Sequence, residues 1–180
     1  MEGIRTYLFS GFLDAGKTTY MLDAIYHDFF HKHGRTLILS FEQGEIALDA
    51  ARLREYKTDI AYYEAEGSED ITAFCLSSIE KYKPDRIYVE DNAMIDGLTA
   101  LFPPCMTIAA KTALIDGSTL PLYFNNMRQI LQNIVKGSVL VLFNRIPDQE
   151  TLMPYGSAFR VMERKAAYLW ESPMGYHEKA

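Results

Sequence analysis

Cysteine is scarce in this sequence. Cys75 and Cys105 are the only two, they lie far apart, and they match no zinc-ligand or redox spacing. A disulfide scaffold is not expected, and two lone thiols fit a reducing, cytoplasmic compartment. Long apolar runs are missing too. Stretches such as VLVLF at 139–143 are far too short to span a bilayer, so no membrane is expected as a partner. The opening residues MEGIRTYLF have neither a basic n-region nor a long apolar h-region, which argues against a secretory signal. No basic stripe is present. The net charge is -6 with acids and bases interleaved, so nucleic acid is not an expected partner either. Repeats, low-complexity tracts and linkers are also lacking. What remains is 180 residues, 48% of them apolar. That is enough to bury one core, and a single domain over 1–180 is expected. The tail after about residue 173 is polar and expected to fray.

Short β-branched and aromatic runs alternate with helix-period segments. The pattern predicts strands over 4–10, 35–41, 58–64, 86–90, 107–115, 139–144 and 167–171. It predicts helices over 17–33, 46–56, 68–82, 120–135 and 158–165. In the first of these, Met21, Leu22, Ile25, Phe29 and Phe30 fall near one face, and Gly34 stops the helix. Such alternation gives an α/β fold, an open and mostly parallel sheet with helices on both faces. Ligands in these sheets sit beyond the carboxyl ends of the strands. The informative residues are therefore those that follow Ser10 and Phe41, and those at Glu90 and Asn144.

The first strand end reads Gly11-Phe12-Leu13-Asp14-Ala15-Gly16-Lys17-Thr18. This is the Walker A pattern, G-x-x-x-x-G-K-[ST], with a strand before it and a helix after it. A polyphosphate needs backbone N–H groups pointing inward, and Gly11 and Gly16 let the chain turn and approach closely. The helix N-terminus adds its positive dipole end. Lys17 supplies a point charge and the Thr18 hydroxyl a Mg²⁺ ligand. The nucleotide-binding set at this end is Gly11, Asp14, Ala15, Gly16, Lys17, Thr18 and Thr19, with the Asp14 carboxylate expected to point outward. The reading requires the loop amides to face the crevice. It also requires a Lys17 ammonium that is not locked into an internal ion pair.

The second strand ends in Phe41-Glu42-Gln43-Gly44-Glu45, and Asp49 follows. Glu42 is a candidate for Mg²⁺ or for a bound water, and Asp49 is a weaker one. Acids also decorate helix N-termini for dipole reasons alone. The fourth strand, RIYVE, ends in Glu90 and Asp91, a Walker B shape in which an acid orders the Mg²⁺ shell or orients water. Lys17, Glu90 and Glu42 are the catalytic candidates, and Thr18, Glu42 and Glu90 the Mg²⁺ ligands. VLVLF runs into Asn144 and Arg145, candidates for contact with the base. Asp148 reads more simply as a turn residue after Pro147. His27 and His31 are spaced i, i+4, but a bare pair is usually a solvated face.

With these four strand ends assembled, the chain resembles the CobW-like GTP-binding family, relatives of the HypB and UreG metal-insertion GTPases. The words that carry the resemblance are SGFLDAGKTT (10–19), EQGEIALD (42–49), DRIYVEDNAM (85–94), TALIDGSTLPLYFNNMRQ (112–129) and VLVLFNR (139–145). They cover most of the chain. The resemblance implies a P-loop NTPase domain that binds GTP with Mg²⁺, hydrolyses it slowly, and acts in metal delivery or cofactor assembly. A client metalloprotein, a partner subunit or a second copy of the chain would be its partners. The chain departs from the family in three respects. No Cys-x-Cys-Cys follows the second motif. Ala93 stands where members place a glycine near the γ-phosphate. The chain ends soon after AYLWES (167–172), where many members continue into a further domain.

The residues barely separate GTP from ATP. Two other readings stay open. One is a nucleotide-binding regulatory module without catalysis, which Ala93 and the missing cysteines favour. The other is a small-molecule kinase, which would need an acceptor pocket and an arginine-bearing lid. The arginines are scattered, with only Arg160 and Arg164 clustered late in the chain.

Overall fold

The first strand, β1 (Ile4–Ser10), shows how the layers arise. Its residues alternate between two faces, so Leu8 joins one apolar cluster while Phe9 joins another. The structure is a computed structural model describing residues 3–27, 34–42, 48–64, 70–146, 148–172 and 175–178.

In chain order β1 is followed by α1 (Lys17–His27), β2 (Thr36–Ser40), α2 (Ala50–Glu55), β3 (Thr58–Tyr62), α3 (Ile71–Tyr82) and β4 (Arg86–Glu90). Then come β5 (Met106–Asp116), α4 (Leu120–Asn126), α5 (Arg128–Val135), β6 (Leu140–Asn144), α6 (Gly156–Met162), β7 (Ala167–Ser172) and β8 (Gly175–Glu178). The eight strands form one sheet in the order β3-β2-β4-β1-β5-β6-β7-β8. All neighbours pair in parallel except β7 and β8.

Every residue of β2 and of β4 is buried, as expected of central strands covered on both faces. One face carries α3 over Leu8, Leu37, Leu39, Ile87 and Val89. On the same side, Leu120 of α4, Leu131 and Ile134 of α5 and Phe159 of α6 pack on Ala113, Ile115, Val141 and Phe143. The other face carries Met21 and Ile25 of α1 and Leu53 of α2 over Phe9, Ile38, Tyr88, Leu114 and Leu142. Among the described residues no helix is long and apolar enough to cross a membrane.

Several sequence expectations need correction. The described part of α1 ends at His27, and 28–33 lie outside the described residues, as does His31. The segment predicted as one helix over 120–135 is two, broken at Met127, whose φ of -130° and ψ of 36° leave the helical region. The Asn126 side chain donates to the Leu122 carbonyl, the local competition with the backbone that makes asparagine a poor helix interior residue. The last helix is shifted to Gly156–Met162. The tail is not simply frayed. Residues 175–178 form β8, antiparallel to β7, and give the N–H and C=O groups of that strand the partners an edge otherwise lacks.

The link from β4 to β5 contains no α-helix. A 3₁₀ turn at Leu98–Leu101 takes its place. Parallel neighbours are usually joined through a packed helix, so this link leaves a gap over the middle of the sheet.

Candidate functional site

β1 lies between β4 and β5, and the chain runs outward from it on either side. That makes its carboxyl end a topological switch point, the position where such sheets bind ligands.

The loop after β1 is built tightly. A Cβ on Gly11 would come within 2.6 Å of the Leu114 carbonyl oxygen, and Gly16 has φ +89°, a left-handed value that favours glycine. Asp14 also sits at positive φ, 58°, which aspartate tolerates better than most residues. Its side chain is exposed, as expected. Phe12 is buried and stacks on Tyr123 of α4, with centroids 3.9 Å apart. The Ala15 amide donates to Phe12 O, closing the turn. Among the described residues no backbone acceptor meets the amides of Gly16, Lys17 or Thr18. These are first-turn donors that the helix cannot satisfy internally, the kind of group that can receive an anion.

Lys17 departs from the sequence expectation. It is 2% exposed, and its Nζ donates to Gly11 O at 3.0 Å and to Phe12 O at 2.8 Å. Glu42 Oε2 completes the set at 2.5 Å. The ammonium is therefore locked into an internal ion pair. The physical reason is burial: a cation withdrawn from water needs a counter-charge, and Glu90 is already committed elsewhere. The condition set by the sequence, a Lys17 ammonium free of an internal ion pair, is not met: two of its three donors hold the loop itself, and the third meets the Glu42 carboxylate. Burial pushes the Glu42 carboxyl above its ordinary range, outweighing the opposing pull of Lys17.

Glu90 closes the other side. Its Oε1 accepts from the Thr18 hydroxyl and its Oε2 from Ser40 Oγ at 2.6 Å, and it is buried. Ser40 Oγ also lies 2.8 Å from Glu42 O, an alternative acceptor for its single hydroxyl proton. The ends of β1, β2 and β4 are thus tied through Thr18, Ser40, Glu42 and Glu90. Among the described residues no three His, Cys, Asp or Glu side chains converge on a metal position. The Thr18–Glu90 pair nonetheless fits Mg²⁺, which takes few protein ligands and completes its shell with water and phosphate.

Asn144 and Arg145 reach the loop from β6. Asn144 Nδ2 donates to Ala15 O at 2.7 Å, while its buried Oδ1 meets no donor among the described residues. An unmet buried acceptor costs about 1–3 kcal/mol, and such an oxygen suits the N–H donor of a base. Arg145 Nη1 donates to Asp14 O at 2.8 Å and to Asp116 Oδ2 at 2.5 Å. Burial raises the Asp116 carboxyl, but hydrogen bonds from Ser118 and Arg145 outweigh it and hold the group below its ordinary value. Thr19 is exposed. Asp49 caps α2 by accepting from Ala51 N and Arg52 N, so it serves the helix and not a metal. Asp148 accepts from Thr151 N and Oγ1, the turn role expected of it. Arg160 lies over the Tyr168 ring, on α6.

The sequence pattern did not single out Ser40 or Asp116, and it named Asp91 only beside Glu90. Asp116 ends β5 and was open to the strand-end rule that found the other four ends. Asp91 accepts from Ser10 Oγ. Burial raises its carboxyl above the ordinary range despite the Ser10 bond and the Lys111 charge. A carboxyl raised on folding stabilises below its unfolded value, and that stabilisation is lost as pH rises through the folded value. Thermal melts from mildly acid to neutral pH should therefore fall less steeply for Asp91→Asn than for the wild type. Parallel curves would contradict the assignment.

No protein-family model matches the sequence, and no curated protein matches it. Solved structures do match. The hydrogenase maturation factor HypB of Archaeoglobus fulgidus superposes with a TM-score of 0.63 at 12% identity, over 94% of this chain and 81% of its own. A Zn(II)-bound triple mutant of the YjiA GTPase gives 0.60 at 19%, over 96% of this chain and 59% of its own. FlhF complexed with GTP and Mg²⁺ gives 0.59 at 14%, over 100% of this chain and 71% of its own. The fold is that of the P-loop NTPases. The chain spans well under two thirds of the YjiA length, and within this P-loop fold the Gly11–Thr18 loop lies at the mouth of α1.

Proposed function

We propose that this chain binds a guanosine nucleotide with Mg²⁺ at the carboxyl end of β1 and hydrolyses the triphosphate slowly, in metal delivery or cofactor assembly. The observation that carries the reading is the mouth of α1, where the amides of Gly16, Lys17 and Thr18 meet no backbone acceptor among the described residues and the Thr18 hydroxyl donates to Glu90. The names of two structural neighbours, a hydrogenase maturation factor and a zinc-bound GTPase, support the metal-related role.

In this reading the amides of Gly16, Lys17 and Thr18 bind the phosphates. Lys17 exchanges Glu42 for a phosphate oxygen and neutralises its charge. Thr18 and Glu90 would hold Mg²⁺, which supplies charge neutralisation to the phosphates. Ser40 fixes the Glu90 carboxylate, and Glu42, once displaced, can accept from an attacking water. Asn144 Oδ1 accepts from the base. Arg145 touches the loop but is held by Asp14 O and Asp116, so turnover without a partner should be slow.

A titration with fluorescent GTP, GDP and ATP analogues, with and without Mg²⁺, tests the reading. Thr18→Ala should weaken triphosphate binding about tenfold in Mg²⁺ and little without it, the loss of roughly one charge-assisted contact. Equal loss in both conditions would remove Thr18 from the metal site, and preference for ATP would overturn the guanine assignment. A second reading, a binding module without catalysis, is favoured by Ala93. It predicts equal stabilisation by GTP and GDP and no phosphate release.

A further inference from the structure

The gap left by the short β4–β5 link is a cavity of about 500 Å³, distinct from the phosphate loop. Asp91 and Asp96 line it from the link, Lys111 from β5, and Lys136 from the end of α5. Leu8, Ile130 and Ile134 supply apolar wall. Lys111 is anchored: its Nζ donates to Asn133 O at 2.8 Å and Lys136 O at 3.1 Å, capping α5. The volume lies within the range of small-molecule sites.

Acidic and basic residues share the lining of one partly apolar space, and with Lys111 spent on the α5 carbonyls it is Lys136 that is left to answer an anionic group. A lone anion or cation leaves one sign of the lining unanswered, whereas a molecule carrying both signs on a hydrocarbon body answers both. We propose that this cavity binds a small zwitterion with an apolar side chain, of the α-amino-acid class. Asp91 receives the ammonium end, Lys136 the carboxylate end, and the wall of Leu8, Ile130 and Ile134 the hydrocarbon. Asp91 also accepts from Ser10, the residue before Gly11. The ligand and the nucleotide should therefore change each other's affinity by the same factor, a corollary that rests on the nucleotide reading above.

The test is thermal unfolding of the full chain without nucleotide. The probes are L-leucine, 3-methylbutylamine, which lacks the carboxylate, and 4-methylpentanoate, which lacks the amine. Saturating L-leucine should raise Tm by about 2–5 °C, and neither single-charge analogue should. Lys136→Gln should abolish the response to L-leucine while leaving nucleotide binding intact. The inference is overturned if L-leucine gives no shift, if either analogue matches it, or if the shift survives Lys136→Gln. Nucleotide titration of the same sample keeps the two readings apart, because a chain that binds nucleotide and ignores L-leucine fails here alone.

Discussion

Lys17→Ala should reduce nucleotide affinity by about 100-fold, since it removes a charge-assisted contact that no neighbour can replace. The same change should lower Tm. It leaves the half-buried Glu42 without its cation, and breaking one side of a fully buried pair typically costs about 3–5 kcal/mol, an upper bound here. The two effects are separable. Because Lys17 and Glu42 touch, their substitutions should not add. The double variant Lys17→Ala, Glu42→Gln should recover most of the lost Tm and none of the affinity. Calorimetric melts beside fluorescent-nucleotide titration read both quantities. Recovery of affinity in the double variant would mean that the ammonium serves the fold alone.

Glu42→Gln by itself should do the opposite to binding. In the free chain the carboxylate occupies the third donor of Lys17, and an incoming phosphate must displace it. A neutral amide competes less, so affinity for GDP and GTP should rise about tenfold, roughly 1.4 kcal/mol. The gain should shrink at lower pH, where the wild-type carboxyl, already raised by burial, takes up a proton and loosens its own hold. Hydrolysis should fall, because the amide cannot accept a proton from water. A drop in Mg²⁺-dependent affinity for Glu42→Gln would instead make Glu42 a metal ligand in the bound state.

Much of this arrangement was legible in the sequence. The alternation of apolar runs implied the parallel sheet, and the glycine spacing located the tight loop at the mouth of α1. Glu90 was readable because an acid closing a buried strand is costly to desolvate, and the loop upstream supplies a hydroxyl, Thr18, that helps offset that cost. The ion pair of Lys17 was not readable. It depends on which of several acids finds the buried ammonium, and that follows from Thr18 and Ser40 having claimed Glu90 first. Periodicity also failed at Met127. Both halves of 120–135 keep the helical spacing, and one side chain's competition for a carbonyl does not register in a hydrophobic pattern. The β8 strand escaped for a related reason, since its pairing answers the open edge of β7 more than any apolar signal of its own.

The stack of Phe12 on Tyr123 bears on how costly it is to receive an anion. A loop that must settle around its guest loses conformational freedom at that moment, and the loss is subtracted from affinity. Here the ring of Phe12 is already clamped to α4 and the turn is already shut at Ala15. On the nucleotide reading, that part of the entropy is spent when the chain folds, and a phosphate would meet a loop already held at Phe12 and Ala15.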